Sequence, residues 1–141
     1  MGFNVEKSFI GYPSVELLGF HVDALGIHST EDRTQGFRQL EFPATLKALE
    51  TYLGATGFLR IMIPYYAQIS DALHRRKVAM LAKGRQKGRV VDKNASKRAA
   101  YTSNTRFEPT AEERASFEEL QKFICRKLTL HHPDPDRQLF L

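Results

Sequence analysis

The sequence predicts a mixed α+β chain, mainly helical, with a β-hairpin near its N-terminus and a helix followed by a strand near its C-terminus. Three patterns carry that reading. Apolar residues alternate through Val15-Glu16-Leu17-Leu18-Gly19-Phe20-His21-Val22. From Leu46 to Met62 they recur at three- and four-residue spacing instead. A hydroxyl and a glutamate three residues on, Thr110 and Glu113, open a further amphipathic run.

Taken in order, a strand over Val15–Val22 places Leu18, Phe20 and Val22 on one face under its two-residue period. Gly19 in mid-strand then marks a bulge or the close approach of another backbone. Asp23-Ala24-Leu25-Gly26 supplies a four-residue turn, and Ile27-His28 begins the return strand. Ser29-Thr30-Glu31-Asp32 opens a short helix, with a hydroxyl cap and acids in the first turn, which closes before Pro43. Thr45 caps the next helix, expected to run to about Ile63, with Leu46, Leu49, Tyr52, Leu53, Leu59 and Met62 as its apolar stripe. Gly54 and Gly57 sit inside it, and a glycine in a helix interior costs about 1 kcal/mol relative to alanine. Each therefore asks for a packing or contact reason.

Pro64 suits the first turn of a third helix, whose face repeats Ile69, Leu73, Arg76 and Met80, with Gly84 as its C-cap. From Lys83 to Thr105 the pattern dissolves into Lys, Arg, Gly, Ser and Asn and reads as a linker. Thr110 and Glu113 then open a helix carrying Phe117, Leu120, Ile124 and Leu128 on one face. His132-Pro133-Asp134-Pro135-Asp136 is a turn, and Gln138-Leu139-Phe140-Leu141 a strand. No internal repeat is present.

Length and composition bound the functional classes. At 141 residues and 42% hydrophobic, the chain suits one small domain or a compact body with an appendage. No apolar run approaches the ~18–20 residues needed to cross a bilayer. The single cysteine, Cys125, excludes a disulfide or a cysteine-based zinc site closed within the chain. No basic stretch precedes an apolar one at the N-terminus, so the expectation is an intracellular protein, cytoplasmic or nuclear, that is not secreted.

Charge is unevenly placed. Arg75 to Arg106 holds eleven basic residues against one acid, Asp92, which leaves the remainder of the chain net acidic although the whole carries +5. A basic segment on a mildly acidic body points to a polyanion, nucleic acid before membrane, because no lipid-binding amphipathic face accompanies it. A solvated linker kept extended by its charge satisfies the same composition.

Catalytic signatures are absent. Lys83-Gly84-Arg85 and Lys87-Gly88-Arg89 lack the strand-to-helix frame of a phosphate-binding loop. His131 and His132 are adjacent and point different ways, so with Asp134 and Asp136 they read as a turn rather than a metal site. Glu112, Glu113, Glu118 and Glu119 read as a solvated helix face, and Cys125 has no histidine in local reach.

An ordered set of motifs goes further. Glu6-Lys7-Ser8-Phe9 precedes Val15–Val22 and Leu25-Gly26-Ile27; then come Pro43, Thr45-Leu46-Lys47-Ala48-Leu49, Tyr52-Leu53-Gly54, Phe58-Leu59-Arg60 and Ile63-Pro64-Tyr65-Tyr66-Ala67. Ala115-Ser116-Phe117-Glu118-Glu119-Leu120-Gln121 and His132-Pro133-Asp134 complete the series. This succession resembles the reverse transcriptase of gypsy-type long-terminal-repeat retrotransposons, from the end of the palm through the thumb to the tether before RNase H. It spans nearly the whole chain except the basic segment. Ser8 stands where the family commonly has cysteine, Phe107 where tryptophan is usual, and the basic insert is longer than in most relatives.

The resemblance implies a division into the end of the palm with a primer-grip-like hairpin (1–29), a helical thumb (30–84), a basic flexible linker (85–106) and a connection helix and strand toward RNase H (107–141). It implies that Leu18, Gly19 and Phe20 lie in the hairpin that holds the primer end. Glu50, Gly54 and Phe58, at i, i+4 and i+8, would lie along the helix that tracks the minor groove. Packing against another helix through Gly54 is the alternative. The basic residues Arg75, Arg76, Lys77, Lys83, Arg85, Lys87, Arg89, Lys93, Lys97 and Arg98 would add phosphate contacts. The family's Tyr-x-Asp-Asp motif does not occur, and the RNase H aspartates would follow Leu141. The expectation is therefore a fragment that binds an RNA–DNA hybrid or duplex without catalysing, with no cofactor of its own and Mg²⁺ confined to absent catalytic domains. Expected partners are nucleic acid, the remainder of a reverse transcriptase polyprotein and, through exposed strands, a second copy, with no membrane. A host-adopted nucleic-acid or protein-binding module, or a thumb acting in trans with a separately encoded palm, is the alternative.

Overall fold

The computed structural model describes residues 11–17, 19–88, 95–126, 129–132 and 134. Three short strands open the chain: β1 (Ser14–Leu17), β2 (Phe20–Asp23) and β3 (Gly26–Ser29). Helices α1 (Glu31–Arg38) and α2 (Leu46–Phe58) follow, and a 3₁₀ turn at Arg60–Met62 leads into the single turn α3 (Tyr66–Ile69). Then come α4 (Asp71–Gln86), α5 (Ala95–Asn104), α6 (Ala111–Ile124) and β4 (Thr129–His131). The α+β, mainly helical class is what the sequence predicts.

The strands form an antiparallel sheet in the order β1-β2-β3-β4. Leu17 pairs with Phe20 and Val15 with Val22, so the single strand expected over Val15–Val22 is instead two strands folded on each other. Gly19 is a turn residue with φ 79°, not a mid-strand bulge. A continuous strand would put Val15 and Leu17 opposite Phe20 and Val22. The reversal brings all four to one face, continued by Ile27 and Leu130, whereas Glu16, His21, His28 and Thr129 run across the other. β4 pairs with β3 through Gly26 and His131, Ile27 and Leu130, and His28 and Thr129.

The core lies among the helices. Leu49, Tyr52 and Leu53 of α2 pack with Phe37, Leu59, Met62, Ile63, Leu73, Phe117, Leu120 and Ile124. Phe107 meets Phe42 edge-on at 6.0 Å, and Phe42 meets Phe117 at 5.3 Å. Thr45 caps α2 as expected, its Oγ1 accepting from the Ala48 N–H at 3.2 Å, but the helix stops at Phe58 rather than Ile63. The third helix is broken, because α3 ends at Ile69 and α4 starts afresh after Ser70. Gly84 is buried inside α4, and the left-handed residue after the helix is Gly88 at φ 61°.

The basic linker is corrected in the same way. α4 continues to Gln86, and Ala95–Asn104 is helix α5, whose Thr102 is buried. The Tyr101 hydroxyl donates to the Met80 carbonyl at 2.9 Å, and the Leu46 N–H donates to the Thr105 carbonyl at 2.9 Å. With Phe107 N–H on the Ala44 carbonyl at 3.3 Å, a one-residue β-bridge between Thr45 and Arg106 ties the end of the insert to the start of α2. Basic composition does not prevent a helix when one side can be buried. The strand expected at Gln138–Leu141, Leu128, and Pro133, Pro135 and Asp136 of the expected turn lie outside the described residues.

Candidate nucleic-acid interface

Two of the elements implicated by sequence meet at one point. Phe20, first residue of β2, stacks on Phe58, last residue of α2, with ring centroids 4.8 Å apart and planes within 10° of parallel. Such a pair contributes about 0.5–1.5 kcal/mol beyond its buried area. It fixes the hairpin against the C-terminal end of α2, and Phe58 still leaves 43% of its surface exposed. The hairpin tip and the outer face of α2 are thereby one continuous surface.

Gly54 lies one turn earlier on that face. A Cβ built on it would meet nothing within 4 Å among the described residues, so no described helix accounts for the glycine. Packing through Gly54 is thus not the arrangement found among the described residues. Gly57 is different, since its Cβ would meet the Tyr66 hydroxyl at 3.7 Å. At the other end of the stripe Glu50 is held by Arg98 of α5, its carboxylate accepting from the guanidinium. The stripe runs from an ion pair at Glu50, over open backbone at Gly54, to the stacked ring of Phe58. From the rise of 1.5 Å per residue this is about 12 Å.

The basic residues divide into two groups. Arg75 pairs with Asp71 and with Glu112, both at 2.7 Å. Hydrogen bonding to Glu112, with the charges of Asp71 and Glu112, pushes its pKa further up. Arg76 donates through Nε to Glu113 at 2.6 Å, and its guanidinium lies 5.6 Å from the Phe107 ring centre. These two side chains join α4 to α6. Glu113 also accepts from the Thr110 N–H at 2.9 Å, completing the predicted capping box. Burial raises the Glu113 pKa, but the Arg76 hydrogen bond and charge and the Thr110 N–H outweigh it and leave the group below its ordinary range. Glu113 is therefore a buried anchor, not the solvated residue its sequence neighbourhood suggests. Lys83, Arg85, Lys87 and Lys97 are exposed and Lys77 is half-buried. Leu18, Arg89 and Lys93 lie outside the described residues.

Sequence reasoning missed a polar brace on the outer side of the sheet. His28 is buried with Nε2 3.1 Å from Asp23 Oδ1 and Nδ1 3.0 Å from Thr129 Oγ1, joining the β2–β3 turn to β4. Asp23 Oδ1 also accepts from the backbone of Leu25 at 2.8 Å and Gly26 at 3.1 Å. Its pKa is lowered chiefly by the Leu25 N–H, with His28 adding to this and desolvation opposing it. His132 Nε2 lies 2.9 Å from the Asp23 carbonyl, so the two adjacent histidines do separate tasks, His131 being paired in β4. The brace borders a cleft of about 670 Å³ that also touches Arg38, Cys125 and Arg126. Among the described residues no group of three or more His, Cys, Asp or Glu is arranged to hold a metal. Nor is any described helix long and apolar enough to cross a membrane.

No family model matches the chain. A 70-residue stretch is 33% identical to a retrovirus-related Pol polyprotein from transposon opus of Drosophila melanogaster, covering 50% of this chain and 7% of that polyprotein. Among solved structures, the foamy viral protease-reverse transcriptase in complex with an RNA/DNA hybrid superimposes with a TM-score of 0.63 at 20% identity, over 93% of this chain and 15% of that one. The same viral protein in complex with double-stranded DNA gives 0.61 at 19% identity, over 89% of this chain and 22% of that one. The chain thus spans a small part of each protein it matches. Its fold is that of a stretch of reverse transcriptase, and half of its sequence is similar to a retroelement Pol polyprotein.

Proposed function

We propose that this chain is a piece of a gypsy-type retroelement reverse transcriptase that holds a primer–template duplex. The hairpin serves as the primer grip and α1 to α4 as the thumb, with α6 leading toward RNase H. In this reading an RNA–DNA hybrid lies along the outer face of α2, and its remaining partners are the catalytic parts of the polyprotein. Those parts carry the carboxylates and the Mg²⁺; the residues of this chain bind and position without polymerising or cleaving, in an intracellular compartment.

Gly54 is the observation that carries the reading. A glycine in mid-helix costs about 1 kcal/mol, and no contact among the described residues explains it. A duplex backbone approaching α2 does explain it, because the broad minor groove of an A-form helix presents sugars and 2′-hydroxyls at its surface. Phe58 would then lie against sugars or base edges while its other face rests on Phe20.

The test uses opposed signs. Gly54→Ala is expected to raise stability by about 0.5–1 kcal/mol, since the new methyl meets nothing and the helix gains propensity. Gly54→Leu should fold equally well yet bind an RNA–DNA hybrid more weakly, with single strands less affected. A Gly54→Leu protein that melts normally and keeps full hybrid affinity would sink the assignment of α2 to the groove.

A further inference from the structure

Arg98 belongs to the insert that composition alone casts as a linker, yet its guanidinium ends on Glu50, the first residue of the α2 stripe. Glu50 is the acid on that stripe; Gly54 and Phe58, one and two turns on, are uncharged. A bare carboxylate there would face the phosphates of any duplex lying on α2. α5 is also held independently of this pair, by Tyr101 on the Met80 carbonyl, by buried Thr102 and by the bridge between Thr45 and Arg106. It carries Lys97 and Arg98 and no acid.

We propose that the α5 insert is the second wall of the nucleic-acid face of α2, and that Arg98 is a positioning residue which cancels the Glu50 carboxylate so that a phosphate backbone can approach. This rests on the primer–template reading above and adds to it the role of the insert. Glu50 is then a docking point for α5 and not a contact to nucleic acid. Neutralising it from a neighbouring helix removes the one negative charge of the stripe, since Gly54 and Phe58 carry none. A guanidinium committed to Glu50 contributes no phosphate contact of its own, so Arg98 matters only while Glu50 is charged. That conditional dependence is what separates the proposal from a general basic patch.

The experiment measures hybrid binding by fluorescence anisotropy with the full chain and four variants. Arg98→Gln keeps a donor toward Glu50 but removes the charge, and should weaken binding about tenfold at ~0.05 M salt, with the difference shrinking toward ~0.3 M as screening shortens. Glu50→Gln should bind within about twofold of the parent, because its charge is already cancelled there. The double variant should fall within about twofold of Glu50→Gln, since no carboxylate remains to be cancelled. Arg98→Lys should restore most of the parent affinity. Circular dichroism and melting curves confirm that α5 stays helical in each. An equal loss from Arg98→Gln in both backgrounds would overturn the proposal and make Arg98 a direct contact or a structural prop. No loss in the parent background would overturn it too. In both cases binding by the parent leaves the primer–template reading standing; a parent that binds no hybrid at low salt removes that reading and this inference with it.

Discussion

Arg76 sits on an otherwise apolar face of α4 with Leu73 and Met80, and that placement obliges it to find an acid. It finds Glu113, whose side chain is 8% exposed against 28% for Arg76. The odd residue on the face was visible in the sequence. Its partner was not, because the two are 37 positions apart and the capping box already gave Glu113 a local purpose. Glu113→Gln keeps an N3 amide for the cap but loses the ion pair, and should cost about 2 kcal/mol near neutral pH, less than a fully buried pair because Arg76 is partly solvated. The pH dependence has a definite sign. The folded-state pKa lies below the ordinary 4.5, so the contribution is complete above that value and disappears as pH falls through the lower folded-state one. Melting temperatures of parent and variant should therefore converge as pH drops from ~5 to ~3; parallel curves would show that Glu113 does not titrate with folding.

At the scale of elements, what was legible depended on whether one face of a segment is apolar. Leu46, Leu49, Tyr52 and Leu53 announce α2, and Phe117, Leu120 and Ile124 announce α6, because burial repeats every turn. The β1–β2 reversal was missed in favour of one continuous strand, although the pattern held a sign of it. Apolar positions shift phase from Val15 and Leu17 to Phe20 and Val22, and a continuous strand cannot bury both sets. α5 was less legible, since its burial is slight and its anchors, Tyr101 and Thr102, are polar. The open face at Gly54 could be suspected from propensity alone, but only the folded chain shows that none of the described residues fills the space. The helical insert has a direct test in limited proteolysis. Lys97 and Arg98 are expected to resist trypsin under native conditions, because cleavage needs an extended backbone and both lie within a docked helix. Early cuts at these two positions would return the segment to the linker its composition suggests.

For the molecule as a whole, β1 and β4 are the edges of the sheet among the described residues. Leu17 at 57% and Leu130 at 40% exposure lie on these two strands. Unpaired edges with apolar side chains favour strand addition by another chain. The protein is expected to self-associate as concentration rises, and Leu17→Lys to shift sedimentation profiles toward the monomer; unchanged profiles would place the contact elsewhere. The same sheet also sets an order of assembly. His28 and Thr129 are 101 positions apart, so pairing β4 with β3 closes a loop of most of the chain. Closing so long a loop costs on the order of 4 kcal/mol in chain entropy before its length-independent part, offset jointly by the α1–α6 contacts, three β3–β4 residue pairs and the bonds of His28 and His132. The local β1–β2–β3 meander owes no such debt to distance, whereas α6 meets it when Arg38 of α1 reaches the Cys125 carbonyl 87 positions on, after which β4 has only a short span left to close. β4 then docks last and is the first strand released, and in that interval the edge of β3 accepts a β4 from any molecule present at comparable effective concentration. The His28–Thr129 brace is the same in both arrangements, so effective concentration alone decides whether the chain's own β4 or a neighbour's completes the sheet.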